Sequence, residues 1–334
     1  MSTIYDIAKK VGCASSTVSK ALNNSKEISK KRKAEILAVA KEMGYVPNSS
    51  ARSLTTKKSW SIGIVFSEDL HIGLEHHFFS GVIQEFKKSV EELGYEISFY
   101  SKKIGNQSLT YLEWFKYKDL DGILIVTVDV EDENLEALRQ SKIPVVTVDS
   151  GLINVPTVIS DNFQGTRMAL EYLMSRGAES IAHIAGPLRS FAAVERLEAF
   201  KSVLSSCGRE ESVFVEASNY DYKSGKEALY KLIKLTKDLP DAIYAANDDI
   251  ALGAIMALKE LGYKVPRDTS VIGFDNIELT RFTSPSLTTV KQDKRKIGTE
   301  AAKLLIEQID KKTERTKGII KRIPVELIIR ESTK

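Results

Sequence analysis

The sequence predicts a chain in two parts: a small all-α unit of short helices, then a larger two-lobed α/β unit whose parallel sheets are covered by helices. Three observations carry this. Apolar residues recur at helical spacing up to about residue 45, whereas from Ser61 onward short Ile/Val-rich runs alternate with helical segments. The length of 334 residues exceeds one compact core, for which about 150 residues is usual. Charge divides at the same place. Residues 1–60 carry 12 Lys+Arg against 4 Asp+Glu, so a head of +8 precedes a body of −5.

In the head, Thr3 and Asp6 have the spacing of a capping box, which starts a helix at Ile4 with Ile4, Ile7, Ala8 and Val11 on one face. Gly12 can end it in a left-handed turn. Ser15-Ser16-Thr17 can cap a second helix whose apolar side is Val18, Ala21 and Leu22, and Asn23-Asn24-Ser25 breaks it. Ser29 can cap a third, with Ile36, Leu37, Ala40 and Met43 inward and Gly44 just past its end. Tyr45 to Thr56 reads as a connector opened by Pro47-Asn48.

In the body, strands are expected at Ile62–Phe66, Glu96–Tyr100, Gly122–Thr127, Pro144–Asp149, Thr157–Asp161, Ser180–Ala185, Ala242–Ala246 and Val271–Asp275. Helices such as Phe78–Leu93, Phe163–Arg176, Ala192–Cys207 and Asp249–Leu261 lie between them. Strands apolar on both faces that alternate with helices make a parallel sheet with helices on its faces. Eight or more such units exceed one small sheet, so two lobes are expected, and they can share a topology.

Several function classes fall away. No apolar run reaches the 18 or so residues of a transmembrane helix, so no membrane partner is expected. The N-terminus has no basic segment leading into an apolar one, which argues for the cytoplasm, at the nucleoid. Cys13 and Cys207 are too few for a disulfide framework or a cysteine-built zinc site. His71, His76 and His77 lack a fourth ligand at clear spacing and read as a solvated loop, so no metal is expected. There is no nucleophile elbow, phosphate loop or HExxH motif, so neither an enzyme nor a cofactor is expected.

What remains is a basic head on a mildly acidic body, the footprint of a nucleic-acid binder, although a solubilising Lys-rich terminus has the same charge. Helix, Gly12-Cys13-Ala14 turn, helix is the order of a helix-turn-helix, whose second helix enters the major groove. On that reading Ser15, Ser16 and Lys20 face DNA, and the hydroxyls of Thr17 and Ser19 suit phosphates. An ordinary helical hairpin shares this spacing.

The run Ile4-Tyr5-Asp6-Ile7-Ala8-Lys9-Lys10-Val11-Gly12, then Ser16-Thr17-Val18-Ser19-Lys20-Ala21-Leu22-Asn23, resembles the headpiece of the lactose/galactose repressor (LacI/GalR) family. So does Gly44-Tyr45-Val46-Pro47-Asn48-Ser49-Ser50-Ala51-Arg52-Ser53-Leu54. The resemblance continues through Ala185-Gly186-Pro187, Ala246-Asn247-Asp248, Ala251-Leu252-Gly253-Ala254, Gly273-Phe274-Asp275 and Leu287-Thr288-Thr289-Val290. It departs at Cys13-Ala14, where the family usually has Val-Ser, and at Lys20, where it usually has Arg. Lys lacks the bidentate fork of Arg, which weakens a guanine contact there.

The resemblance implies a helix-turn-helix headpiece, a hinge helix and a sensor like periplasmic sugar-binding proteins. It places Thr3, Tyr5, Ser15, Ser16, Thr17, Ser19, Lys20, Asn23, Asn48, Ser50, Ala51 and Arg52 at DNA, and Leu54 as a wedge in the minor groove. Alternatively, Leu54 is a core leucine beside a linker. It places Phe78, Phe79, Asp161, Arg196, Tyr220, Asn247 and Asp275 at an effector cleft. An Asp facing an Arg can bridge vicinal hydroxyls, and aromatic faces suit a sugar ring or a base. Spacing alone allows blander roles, namely a helix cap at Asp161, a turn cap at Asp275, a surface ion pair at Arg196 and core aromatics.

The expected organisation is 1–46 for the DNA-binding domain, 47–60 for hinge and linker, and 61–334 for the sensor. Its first lobe takes about 61–161 and 293–318, and its second about 162–292 and 319–334. The expected function is a homodimeric repressor of a pseudo-palindromic operator, controlled by a sugar or sugar phosphate, with a nucleobase or nucleoside as the lesser alternative. Rival readings are a regulator that answers to a phosphocarrier protein, a solute-binding protein, and an enzyme on the same scaffold.

Overall fold

A computed structural model describes residues 2–23, 25, 27–46, 58–66, 74, 76–126, 132, 134–152, 154–209, 213–311 and 318–334. The chain divides into two compact units, Met1–Trp60 and Ser61–Lys334. The expected hinge helix, with Asn48, Ser50, Ala51, Arg52 and Leu54, lies outside the described residues, as do Asn24, His71 and Thr127.

The first unit contains α1 (Ile4–Val11), α2 (Ser15–Leu22) and α3 (Lys30–Glu42). Thr3 and Asp6 form the capping box at α1, and Gly12 ends it at φ 68°. Ser29 caps α3 by accepting from the Arg32 amide. The second helix differs from expectation. Its N-cap is Ala14 with no side-chain cap, and Ser15 is already its first helical residue. Ile7, Ala8, Val18, Ala21, Ile36 and Ala40 are buried together, with Met43 and Leu22 packed against them. Leu37, expected inward, is 41% exposed. It follows Ile36 by one position, and a helix turns by about 100° per residue.

The second unit holds two six-stranded sheets. The first lobe contains β1 (Ser61–Phe66), α4 (His77–Glu91), β2 (Glu96–Phe99), β3 (Lys103–Ile104), β4 (Gln107–Ser108), α5 (Tyr111–Tyr117), β5 (Gly122–Val126), α6 (Asn134–Gln140), β6 (Val145–Val148) and β7 (Thr157–Ser160). The chain crosses over into α7 (Asn162–Ser175), β8 (Ile181–Ala185), α8 (Phe191–Ser206), β9 (Val213–Glu216), α9 (Tyr222–Thr236), β10 (Ala242–Ala245), α10 (Asp248–Glu260), β11 (Ser270–Asp275) and β12 (Thr288–Lys291). It returns through α11 (Lys294–Lys311) and β13 (Ile320–Ile323), and ends in the second lobe with β14 (Glu326–Ile328).

The strand orders are β13-β7-β6-β5-β1-β2 and β14-β12-β11-β10-β8-β9. The lobes thus repeat one doubly wound topology without repeating a sequence. All pairings in these two sheets are parallel except that of β12 with β14. Continuous burial along β5, β6, β7, β8, β10 and β11 is what a sheet covered on both faces requires. One boundary moves. Ile320–Ile323 pairs with Thr157–Ser160, so the first lobe's return reaches past the expected residue 318.

Two glycines set a close helix crossing. A side chain at Gly225 would run into the Ile250 backbone, and one at Gly253 into the Tyr222 carbonyl, so α9 and α10 meet backbone to backbone. Gly253→Ala is expected to lower the stability of the second unit by about 2–3 kcal/mol through overpacking, read as a shift in the urea midpoint. An unchanged midpoint would show that the crossing opens freely.

Candidate nucleic-acid interface and ligand cleft

The helix pair α1–α2 is held by the core of the first unit and by Arg32 of α3. Its Nη2 donates to the carbonyls of Val11 at 3.0 Å and Gly12 at 3.4 Å, which the end of α1 leaves without intrahelical donors. Val18 and Ala21 point into the core, which leaves Ser16 and Lys20 exposed on the opposite side of α2. Ser15, Thr17, Ser19 and Asn23 are half-buried. Tyr5 is 70% exposed, and no described contact accounts for so large a ring at the surface. The Thr3 hydroxyl is occupied by the capping box, where its hydrogen bonds hold the Asp6 carboxyl below the usual range. Lys20 is paired with Glu27, an exposed ion pair of the kind that contributes little and exchanges readily for a phosphate.

In the second unit, the carboxyl ends of the strands from both lobes converge on a cleft. In doubly wound sheets ligands bind at these ends. Phe78, Phe79, Arg196, Tyr220, Asn247 and Asp275 of the expected set line the cavity. Asp161 does not; its carboxylate caps α7 by accepting from the Gln164 amide at 3.0 Å. His76, Asp149, Ser190, Ala192 and Gln292 line the cavity without having been singled out as ligand residues. Asp149 and Gln292 stand immediately after β6 and β12, at strand carboxyl ends as Asp275 does.

Arg196 is 3% exposed. Its Nε donates to Asn162 Oδ1 at 2.9 Å, its Nη1 donates to the Ala246 carbonyl, and the guanidinium lies 3.7 Å over the Phe274 ring. No carboxylate among the described residues pairs with it directly. Gln292 links Asp275, to which its Nε2 donates, with Ser160, whose hydroxyl donates to its Oε1. Asp275 is held at φ 119°, a region that L residues rarely enter and that functional sites commonly retain. Tyr220 donates its hydroxyl to Ser190 at 3.0 Å and passes across Gly186, where a side chain would strike its ring. Asn247 caps α10 through the Ile250 amide at 2.9 Å. Gly151 of the first lobe leaves room for the Phe191 ring of the second.

Burial dominates the electrostatics. It pushes Asp149 up to about 6, against the pull of Arg196, and Asp275 up to about 7, again against Arg196. It pushes His76 down to about 4. Among the described residues, Asp149 Oδ1 and His76 Nδ1 are buried polar atoms without a hydrogen-bond partner. Such atoms in a cleft are groups that a ligand can satisfy. No group of three His, Cys, Asp or Glu among the described residues could hold a metal ion, and no described helix is long and apolar enough to cross a membrane.

Residues 3–48 match the family described as bacterial regulatory proteins, lacI family, and residues 170–333 match the periplasmic binding protein-like domain. The chain is 32% identical to the HTH-type transcriptional repressor PurR of Mannheimia succiniciproducens, over 100% of this chain and 99% of that protein. It is 33% identical to the ribose operon repressor of Halalkalibacterium halodurans, over 100% and 98%. Among solved structures, a lac repressor dimer bound to operator and the anti-inducer ONPF superimposes with a TM-score of 0.85 at 28% identity, covering 99% of each chain.

The folded Asp149 carboxyl titrates near 6, the unfolded one near 3.8. Between these values the folded protein holds a proton that the unfolded chain has released, so this group's contribution to stability falls as pH rises from about 4 to about 6. Asp149→Asn is therefore expected to stabilise the second unit at pH 8 by on the order of 1–3 kcal/mol and to have little effect near pH 4. Denaturant unfolding at the two pH values checks this.

Proposed function

Because the chain belongs to the lacI family of bacterial regulatory proteins and is a DNA-binding transcriptional repressor, we propose that its cleft takes a neutral monosaccharide that controls operator affinity. The observation that carries this reading is the charge set of the cleft. Asp149 and Asp275 face a single guanidinium, Arg196, beside the rings of Phe78, Phe79 and Tyr220. Carboxylates and a guanidinium bridge hydroxyls by charge-assisted hydrogen bonds, and rings cover the C–H faces of a sugar. A phosphate dianion would meet the carboxyls of Asp149 and Asp275 beside Arg196, which disfavours the sugar phosphate.

The operator reading follows from the first unit. Ser15, Ser16, Thr17, Ser19, Lys20 and Asn23 of α2 meet the major groove, with Thr3 and Tyr5 at the backbone. Asn48, Ser50, Ala51 and Arg52 continue the contact, and Leu54 wedges a base step. A homodimer places one headpiece on each half-site. Exposed apolar side chains at Tyr222, Met256, Leu279 and Phe282 of the second lobe supply surface for a second copy. Work on the chromosome puts the protein in the cytoplasm.

Selection of duplexes from a random pool, at one fixed moderate salt concentration, tests the DNA reading. A recovered palindrome supports a dimer. Recovery only in the presence of lysate points instead to a partner such as a phosphocarrier protein. A thermal-shift panel of monosaccharides, sugar phosphates and nucleobases tests the cleft, with D-ribose first because one relative is named a ribose operon repressor. Stabilisation by sugar phosphates or nucleobases alone contradicts the proposal.

Arg196→Ala is expected to weaken binding of the stabilising sugar by at least about a hundredfold, a loss of some 3 kcal/mol typical of a buried charged contact, while leaving selected-operator binding in place. Leu54→Ala is expected to keep sugar binding and to weaken operator binding about tenfold or more, through loss of the wedge. Fluorescence anisotropy with the selected duplex and calorimetry with the sugar read both.

A further inference from the structure

Of the charged groups in the cleft, Asp275 and Arg196 are tied to the crossings between the lobes, and the tie on Arg196 runs further than the cleft itself. Arg196 Nε donates to Asn162 Oδ1 at 2.9 Å, and Asn162 Nδ2 donates to Glu195 Oε2 at 2.9 Å. Arg322 then donates Nη2 to Glu195 Oε1 at 2.6 Å and Nη1 to Oε2 at 3.2 Å, a two-pronged ion pair. Arg322 stands on β13, in register with Ile159 of the first lobe's sheet. Glu195 stands on α8 of the second lobe. Asn162 is the first residue of α7, where the chain has just crossed from β7. The Asp161 amide donates to the Ile323 carbonyl at 2.9 Å, so two crossings run side by side at this point.

We propose that Glu195 and Arg322 form a latch between the lobes, which through Asn162 also positions Arg196 for the effector. The polarity of the Asn162 amide is fixed from both ends. Its oxygen must meet the guanidinium, so its nitrogen must find an acceptor, and Glu195 is that acceptor. Glu195 accepts from two residues, and its side chain is 14% exposed against 40% for that of Arg322. A two-pronged, partly desolvated pair of this kind holds geometry better than an exposed one. Separating the lobes must part Arg322 from Glu195, which frees Glu195 to leave Asn162 and so loosens Arg196. The role of Arg196 in this inference rests on the cleft being the effector site; the latch does not, and the test needs no effector.

The test uses the full chain with Cys13→Ser and Cys207→Ser and spin labels at Lys118→Cys on the first lobe and Lys231→Cys on the second. Electron–electron resonance distances, read on labelled protein diluted into an excess of unlabelled protein so that a dimer carries one labelled copy, are expected to form one narrow distribution in this background. Arg322→Gln is expected to broaden it towards longer distances, and Arg322→Lys, which keeps the charge, to restore part of the narrow component. Thermal unfolding supplies the second reading. Arg322→Gln and Asn162→Ala should each lower Tm by about 2–4 °C, and the double variant by less than the sum, because both act through Glu195. An unchanged distance distribution in Arg322→Gln, or additive Tm losses, would overturn the proposal.

Discussion

A buried guanidinium with no carboxylate paired to it among the described residues is the constraint on which the rest of the sensor depends. Removing such a charge from water costs several kcal/mol unless dipoles and hydrogen-bond acceptors replace the solvent. Around Arg196 those replacements are Asn162, the Ala246 carbonyl and the Phe274 ring. Each comes from a different segment of the second lobe: the start of α7, the end of β10 and β11. The guanidinium therefore holds its place only when three strand or helix ends are in register. Its field also acts on Asp149 of the first lobe and Asp275 of the second, keeping both from being raised still further by burial.

The doubly wound repeat explains why such a site can also move. Each lobe closes its own core, on strands whose side chains are buried on both faces. The lobes are joined by three crossings, at Ser160–Asn162, at Lys291–Lys294 and after Ile323. Few covalent links and separate cores make rigid-body rotation the soft motion. The hydrogen bonds that hold Asp275 and Arg196 lie on these crossings: Ser160 and Gln292 behind Asp275, and Asn162, Glu195 and Arg322 behind Arg196. A ligand that bridges the lobes would act on the same residues that set their angle, which is what the proposed control of operator affinity requires.

Much of this was legible in the sequence, for reasons that differ by element. The capping box at Thr3 and Asp6, the left-handed Gly12 and the Ser29 cap are local, and short-range chemistry decides them. The buried strands were legible because parallel sheets demand unbroken Ile/Val runs. Strand β13 was not, because Ile320-Lys321-Arg322-Ile323 lies at a sheet edge, where charged side chains stay in water and no unbroken apolar run marks the strand. In the cleft, Arg196 and Asp275 could be named from the family resemblance, whereas Asp149 and Gln292 obey the same strand-end geometry and were passed over. Asp161 shows the converse. It also follows a strand, yet it caps a helix, and only the three-dimensional path decides which strand-end carboxylate faces the cleft. His76 looked like a solvated loop residue because its packing against Phe79 depends on the turn into α4, not on spacing.

The central claim is a coupling between two sites on one chain, and coupling is reciprocal. Whatever factor the sugar imposes on operator affinity, the operator must impose on sugar affinity. The most direct measurement is the Kd of the sugar that the thermal panel returns, determined by calorimetry on the free repressor and on the repressor saturated with its selected operator. At the same salt concentration, anisotropy gives the operator Kd with and without saturating sugar. The two ratios are predicted to agree and to differ from one by about fivefold or more. Identical sugar affinity in the free and operator-bound protein would contradict control of DNA binding from the cleft.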